Sequence, residues 1–220
     1  MSAAGQVLVV LAHPDDESFI IGGTLARLAL AGSSVRLVCA TRGEMGRRLG
    51  TPPVATRETL PVLREQELRA ACAALGVGEL HFMGLRDKTV DYYDPSDLAE
   101  RLRPFFVEGR PDLVITFDEK RGGHSDHCAI GRAATLAYHR WAAPDVGLFH
   151  PVWAPEGAAA KGLAAVKVDG DAARRKLAAF RAHRTQSELM DWLWDDRAAL
   201  KRLTGVEYFR LAGGNRGLGV

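Results

Sequence analysis

Two four-residue segments concentrate the side chains able to do chemistry: His13-Pro14-Asp15-Asp16 within LVVLAHPDDESFIIGG, and His124-Ser125-Asp126-His127 within RGGHSDHCAIGRAA. Imidazole and carboxylate are ordinary ligands of a hydrolytic divalent cation, which needs only three protein ligands and a water. Pro14 disfavours the helical region for the residue before it, so His13 stays extended at a strand end while the acids arrive where a helix begins. His13 and Asp16, three apart across that turn, can converge on one ion while Asp15 points elsewhere, although spacing leaves open which aspartate is the ligand. Acids at this place also cap a helix and oppose its dipole, a role to which His13 adds nothing. The second segment supplies two histidines three apart, and its alternative reading is a Ser125 or Asp126 helix cap. Together the segments hold three ligands, a spare carboxylate and a spare imidazole. That is the inventory of metal-assisted hydrolysis: an ion lowers the pKa of water to about 7, a carboxylate takes its proton, and an imidazolium steadies the oxyanion.

Both segments must be brought to one cleft, and the surrounding pattern provides for it. The valine-rich run at 6–12 reads as a strand buried on both faces, followed by a helix over 18–31 that ends before Gly32. Strand 34–40, a long helix over 57–76 with Pro61 in its first turn, strand 79–85, helix 95–107, strand 112–117 and helix 125–141 continue the alternation. Beyond Trp141, strands at 146–153 and 164–169, helices at 171–184 and 195–203 and a last strand at 206–212 are expected. This order predicts an α/β fold with a Rossmann-like, doubly wound, mostly parallel sheet and helices on both faces. A single domain over 1–212 is expected, with a glycine-rich, mobile tail at 213–220. Ligands of such sheets gather at the carboxyl ends of the strands, where both segments fall. The stretch TPPVATRE, from Thr51 to Glu58, is the expected active-site loop.

Composition narrows the partner. The 220 residues are 47% hydrophobic and 25% charged with a net charge of +2, so no nucleic-acid footprint or acidic tail is indicated and a small molecule is expected. Three cysteines without C-x-x-C spacing, Cys39, Cys72 and Cys128, fit a reducing compartment rather than a disulfide framework. No uninterrupted stretch of ~18 apolar residues suggests a membrane span. The start MSAAGQ carries no lysine or arginine, so a cytoplasmic location is expected. A dinucleotide is disfavoured, because acids occupy the place of the G-x-G-x-x-G fingerprint after the first strand.

AHPDDE and HSDH, with TRGEMG, REQELRAACAALGV, FMGLRDKT, PDLVITF and KLAAFRAHRTQ in the same order, make the chain resemble the zinc-dependent N-acetylglucosamine de-N-acetylases named after PIG-L and LmbE. More narrowly, GEMGRRLGTPPVATRETLP and GLRDKTVDYYDP resemble the second type of bacillithiol-biosynthesis deacetylase, which acts on N-acetylglucosaminyl malate. The resemblance implies that His13, Asp16 and His127 hold zinc, with iron(II) an acceptable substitute for the same ligands. It implies Asp15 as general base and then acid, His124 as a protonated stabiliser of the tetrahedral intermediate, and Asp126 as its orienting partner. Glu44, Arg64 and Asp87 would line the sugar site, and Arg57 would suit a substrate carboxylate, which guanidinium grips bidentately. The inositol conjugate of mycothiol synthesis, or a chitooligosaccharide, is the alternative substrate. A trimer or hexamer is also implied. Two positions depart from the family pattern: Ser125 replaces the usual proline, and Gly122 stands where some relatives carry tyrosine.

Other residues are read as structural. His183 in RAHRTQ resembles a family motif but is read as a structural histidine; His81, His139 and His150 belong to no constellation. Cys128 is expected to pack in the core, and Trp192 and Trp194 to be buried or to offer an aromatic rim. Outside the hydrolase reading stand a metal-binding module without turnover and a nucleotide-dependent oxidoreductase.

Overall fold

A computed structural model describes residues 5–48, 52–153 and 162–220. Met1 to Ala4 of the N-terminal stretch and Thr51 of the expected loop lie outside the described residues. Seven strands form one sheet in the order β3-β2-β1-β4-β5-β7-β6. They are β1 (Gln6–Leu11), β2 (Ser34–Thr41), β3 (Glu79–Leu85), β4 (Leu113–Thr116), β5 (Gly147–Val152), β6 (Leu163–Val168) and β7 (Gly205–Gly213). Only β7 runs against its neighbours, pairing antiparallel with both β5 and β6. The α/β, mostly parallel, single-sheet expectation therefore holds.

The helices are α1 (Asp16–Phe19), α2 (Gly22–Leu30), α3 (Leu60–Leu75), α4 (Pro95–Val107), α5 (Ser125–Trp141), α6 (Gly170–Ala182), α7 (Arg184–Ser187) and α8 (Asp196–Leu203). α4 packs on α5, while α2 and α3 pack on α6. Val9, Val10 and Ile115 are wholly buried in the middle of the sheet, and fully covered parallel strands read as continuous apolar runs for that reason. The order turns outward in opposite directions from β1 and β4, which makes their carboxyl ends the switch point where such sheets bind ligands. His13 follows β1 and His124 follows β4 at that crevice.

Two expectations need correction. The single helix over 18–31 is broken into α1 and α2, because Glu207 of β7 reaches in to cap the start of α2. Its carboxylate accepts from the N–H groups of Gly23 (2.9 Å) and Thr24 (2.7 Å), and from the Thr24 hydroxyl at 2.6 Å. Gly23 permits the approach, since a Cβ there would collide with the Val168 side chain. The second correction concerns the mobile tail. β7 runs on to Gly213, Leu218 is buried, and Arg216 donates to Asp112, so the tail is anchored by an apolar side chain and an ion pair.

Candidate active site

The turn after β1 is built around an unusual backbone. Asp15 has φ 110°, a conformation that L-residues adopt at a cost, and it is held there by neighbours. Its N–H donates to Glu17 Oε2 at 3.0 Å. Glu17 is itself fully buried, accepting at Oε1 from the Ser18 hydroxyl (2.5 Å) and lying 2.6 Å from His183 Nε2. The Arg64 guanidinium, buried in α3, donates to Asp15 Oδ2 at 2.8 Å, to the Gly43 carbonyl at 2.7 Å and to the Pro14 carbonyl. Side chains at Gly43 or Gly46 would collide with this guanidinium, which explains why glycines stand there.

His13 and His127 meet across the crevice. His13 Nε2 lies 3.0 Å from Asp126 Oδ2 and 3.2 Å from Asp87 Oδ1, which fixes the proton on Nε2 and leaves the lone pair on Nδ1. His127 Nδ1 donates to the Gly122 carbonyl at 2.9 Å, so its lone pair is on Nε2, and its ring stacks on Phe117 at 4.0 Å. These two lone-pair nitrogens are 3.2 Å apart, and His127 Nε2 is also 3.2 Å from Asp16 Oδ1. Two ring nitrogens and a carboxylate oxygen that all offer electron pairs to one point require a cation or a shared proton between them. The donor set therefore fits a divalent metal ion. The ligand atoms of His13, Asp16 and His127 all lie within 4.8 Å of one another, as do those of His13, His124 and Asp126. The second set is already committed: Asp126 accepts from the N–H groups of Lys88 (2.7 Å) and Val90 (3.1 Å), and His124 Nδ1 accepts from the Asp126 N–H at 3.1 Å.

The electrostatics agree with cation binding. Burial alone would lower His13, but Asp126, Asp87 and Asp16 outweigh it and raise its pKa to about 10. Burial would raise Asp16, yet the hydrogen bond and charge of His127 hold its carboxyl below the usual range. Asp15 is pushed up to about 7 by burial, against the lowering charge of Arg64 and with further raising by Asp16. His124 is held below its ordinary value by burial and by the charge of His13.

The structure brings the expected residues together but redistributes several tasks. Asp126 was expected to orient His124; its carboxylate instead holds His13 and two loop N–H groups, while only its backbone N–H touches the His124 ring. With Nδ1 accepting that N–H, His124 carries its proton on Nε2 and is neutral, not the imidazolium expected. His124 itself is the cap of α5, in place of Ser125 or Asp126. Arg64 and Asp87 do line the cleft, yet the first is spent on Asp15 and the second on His13 and the Met45 N–H. Glu44 holds the Asp87 N–H at 3.0 Å through Oε1, and its buried Oε2 has no partner among the described residues. Arg57 sits exposed at the rim, its Nη1 on the carbonyls of Glu44 and Gly46.

His183 is structural in the sense expected, with an added duty: it supports Glu17, which supports Asp15. The sequence shows Glu17 only as one more acid at a helix start, and nothing beyond the HRTQ segment hints at this pairing. Cys128 is partly buried; Trp192 packs near Phe180, and Trp194 is partly exposed.

His13, Asp15, Arg64, Asp87 and His124 open into a cleft of about 410 Å³. A neighbouring cavity of about 450 Å³, lined by Phe117 and Tyr208 among others, contains no histidine. Among the described residues, no helix is long and apolar enough to cross a membrane.

Comparison with known proteins sharpens the chemistry. Residues 8–138 match the family model described as PIG-L: GlcNAc-PI de-N-acetylase. A probable N-acetyl-alpha-D-glucosaminyl L-malate deacetylase 2 of Bacillus cereus is 38% identical over 202 residues, covering 89% of each chain. The protein of the same description from Bacillus subtilis is 40% identical over 186 residues, 84% of each chain. Among solved structures, the N,N'-diacetylchitobiose deacetylase of Pyrococcus horikoshii superposes with a TM-score of 0.73 at 23% identity, over 96% of this chain and 85% of the other. A 4-carboxy-2-hydroxymuconate hydratase from Pseudomonas putida superposes with a TM-score of 0.75 at 19% identity, over 97% and 98% of the two chains. The shared fold thus spans different reactions, and residues rather than architecture must decide among them.

Proposed function

The chain belongs to the PIG-L family of de-N-acetylases, and from that premise we propose that it hydrolyses the acetamide of N-acetylglucosaminyl malate, releasing acetate and a free glucosamine amine. The reaction class is that of an amide hydrolase acting as a deacetylase. The malate conjugate is favoured by the printed descriptions of the two Bacillus relatives, each spanning more than four-fifths of the chain.

One observation carries the mechanism: the residues after β1 and β4 converge on a single point with Asp15 beside the donors and not among them. His13 Nδ1, Asp16 and His127 Nε2 would hold the cation, zinc or iron(II), which supplies a Lewis acid for the acetamide carbonyl and for water. Asp15 accepts the proton of the attacking water and returns it to the departing nitrogen. Burial raises its carboxyl above the ordinary range, the direction that suits a group which must both take and return a proton. Arg64 fixes one of its oxygens, leaving the other to move the proton. His124 donates its Nε2–H to the oxygen that becomes negative, and the Asp126 N–H at Nδ1 keeps that tautomer. Asp126 and Asp87 orient His13. Glu44, Arg64, Asp87 and Arg57 would border the sugar and its aglycone.

The test is acetate release by metal-loaded protein from the malate, inositol and chitobiose conjugates of N-acetylglucosamine. Preference for the malate conjugate is expected. Preference for either of the others would replace the substrate, and release from none would remove the activity.

A further inference from the structure

The floor of the cleft is acidic, but its rim is not. Arg47, Arg57 and Lys88 line the same cleft, and among the described residues none of the three is paired with a carboxylate. The main chain is held at Arg47 and Lys88, and the side chain itself at Arg57. The Arg47 N–H donates to Gln186 Oε1 at 3.1 Å, and its carbonyl accepts from Gln186 Nε2 at 2.9 Å. Arg57 Nη1 donates to the carbonyls of Glu44 at 3.1 Å and Gly46 at 2.7 Å. Lys88, at φ 65°, has its N–H on Asp126 Oδ2 at 2.7 Å. The guanidinium of Arg57 is thus fixed by one nitrogen, while Nε and Nη2 make no hydrogen bond among the described residues. Two parallel N–H groups on one planar edge are the arrangement that grips a carboxylate with two bonds. Sugar hydroxyls and a neutral aglycone have no use for three exposed cations at one rim, one of them with its guanidinium held in place.

We propose that Arg47, Arg57 and Lys88 form a subsite for a dicarboxylate aglycone, in which Arg57 grips one carboxylate through Nε and Nη2 and Lys88, from a separate loop, meets the other. The subsite rests on the deacetylase reading and deepens it: it selects an anionic conjugate over an inositol conjugate. Arg57 and Lys88 are exposed and lie outside the core, so their replacement spares the sheet and its helices, and the methyl glycoside reads any effect of losing the two loop carbonyl contacts of Arg57.

Arg57→Gln and Lys88→Gln are compared with the wild type on N-acetylglucosaminyl malate and on methyl N-acetylglucosaminide, and binding of the product, glucosaminyl malate, is measured by calorimetry. Each variant is expected to raise KM for the malate conjugate about tenfold with a smaller change in kcat, and to weaken product binding in parallel. The loss on the methyl glycoside should be several-fold smaller. Unchanged KM for the malate conjugate, or equal losses on both substrates, overturns the subsite. If the wild type releases acetate from neither compound, the deacetylase reading fails and calorimetry decides the subsite alone. In that case, weakened glucosaminyl malate binding in Arg57→Gln supports the subsite, and unaltered binding overturns it.

Discussion

Between His13 and His127 a proton and a divalent cation compete for one position. With a folded pKa of about 10 against an ordinary 6.5, protonated His13 contributes stability that is complete below pH 6.5 and lost as the pH rises through about 10. Metal-free protein should therefore melt at falling temperatures from neutral to alkaline pH. A cation needs the unprotonated ring, so loading the metal-free protein at pH 8 should release roughly one proton per site. Titration in weakly buffered solution reads this directly, and cation uptake without proton release would show that the imidazole pair is not the ligand. Asp15→Ala should retain the cation while acetate release falls on the order of a thousandfold, as for loss of a general base. Metal content and turnover measured on one preparation check both halves. His13→Ala should lose both. The types and spacing of His13, Asp16 and His127 are legible in the sequence because Pro14 and the strand ends constrain them. The partnership of Glu17 with His183 is not, because 166 residues separate them and no periodicity joins a helix start to the end of a distant helix.

At the scale of elements, the strands are legible because continuous valine and leucine runs can be buried only inside a sheet. The break between α1 and α2 is not, because its cause lies in β7. A carboxylate from the far end of the chain caps α2 and also holds buried Lys176 at 2.7 Å. Glu207→Ala removes the cap and strands Lys176, and breaking a buried pair by deleting one partner typically costs about 3–5 kcal/mol. Urea unfolding should register a loss of that order. Glu207→Gln, whose single carbonyl oxygen keeps an acceptor for one of the two N–H groups at Gly23 and Thr24, should lose less. The same dependence of local structure on remote partners explains the reassigned duties of Arg64 and Asp126. An amphipathic pattern places Arg64 on α3, but only the folded turn at Asp15 shows what it holds.

For the whole molecule, the sheet order puts the two chemical segments at one crevice, and the chain's last strand, reversed between β5 and β6, continues into a segment that packs against the core. Composition suggests that the glycine-rich terminus trails free, since glycine spacing reports little about a lone buried leucine. Leu218→Ala should cost about 2 kcal/mol by loss of buried apolar area, whereas a mobile tail would show no change in a thermal melt. The trimer or hexamer that the family resemblance suggests is to be checked by sedimentation of the intact chain. The backbone at Asp15 bears on the molecule's stability as well as its chemistry. A glycine there would adopt φ 110° without strain, but Asp15→Gly would also leave the buried Arg64 guanidinium without its carboxylate, so the variant should lose turnover and gain nothing in melting temperature. The contact that secures the aspartate in its awkward posture is thus the one that leaves its second oxygen free for the proton, so shape and reactivity at this turn share a single support.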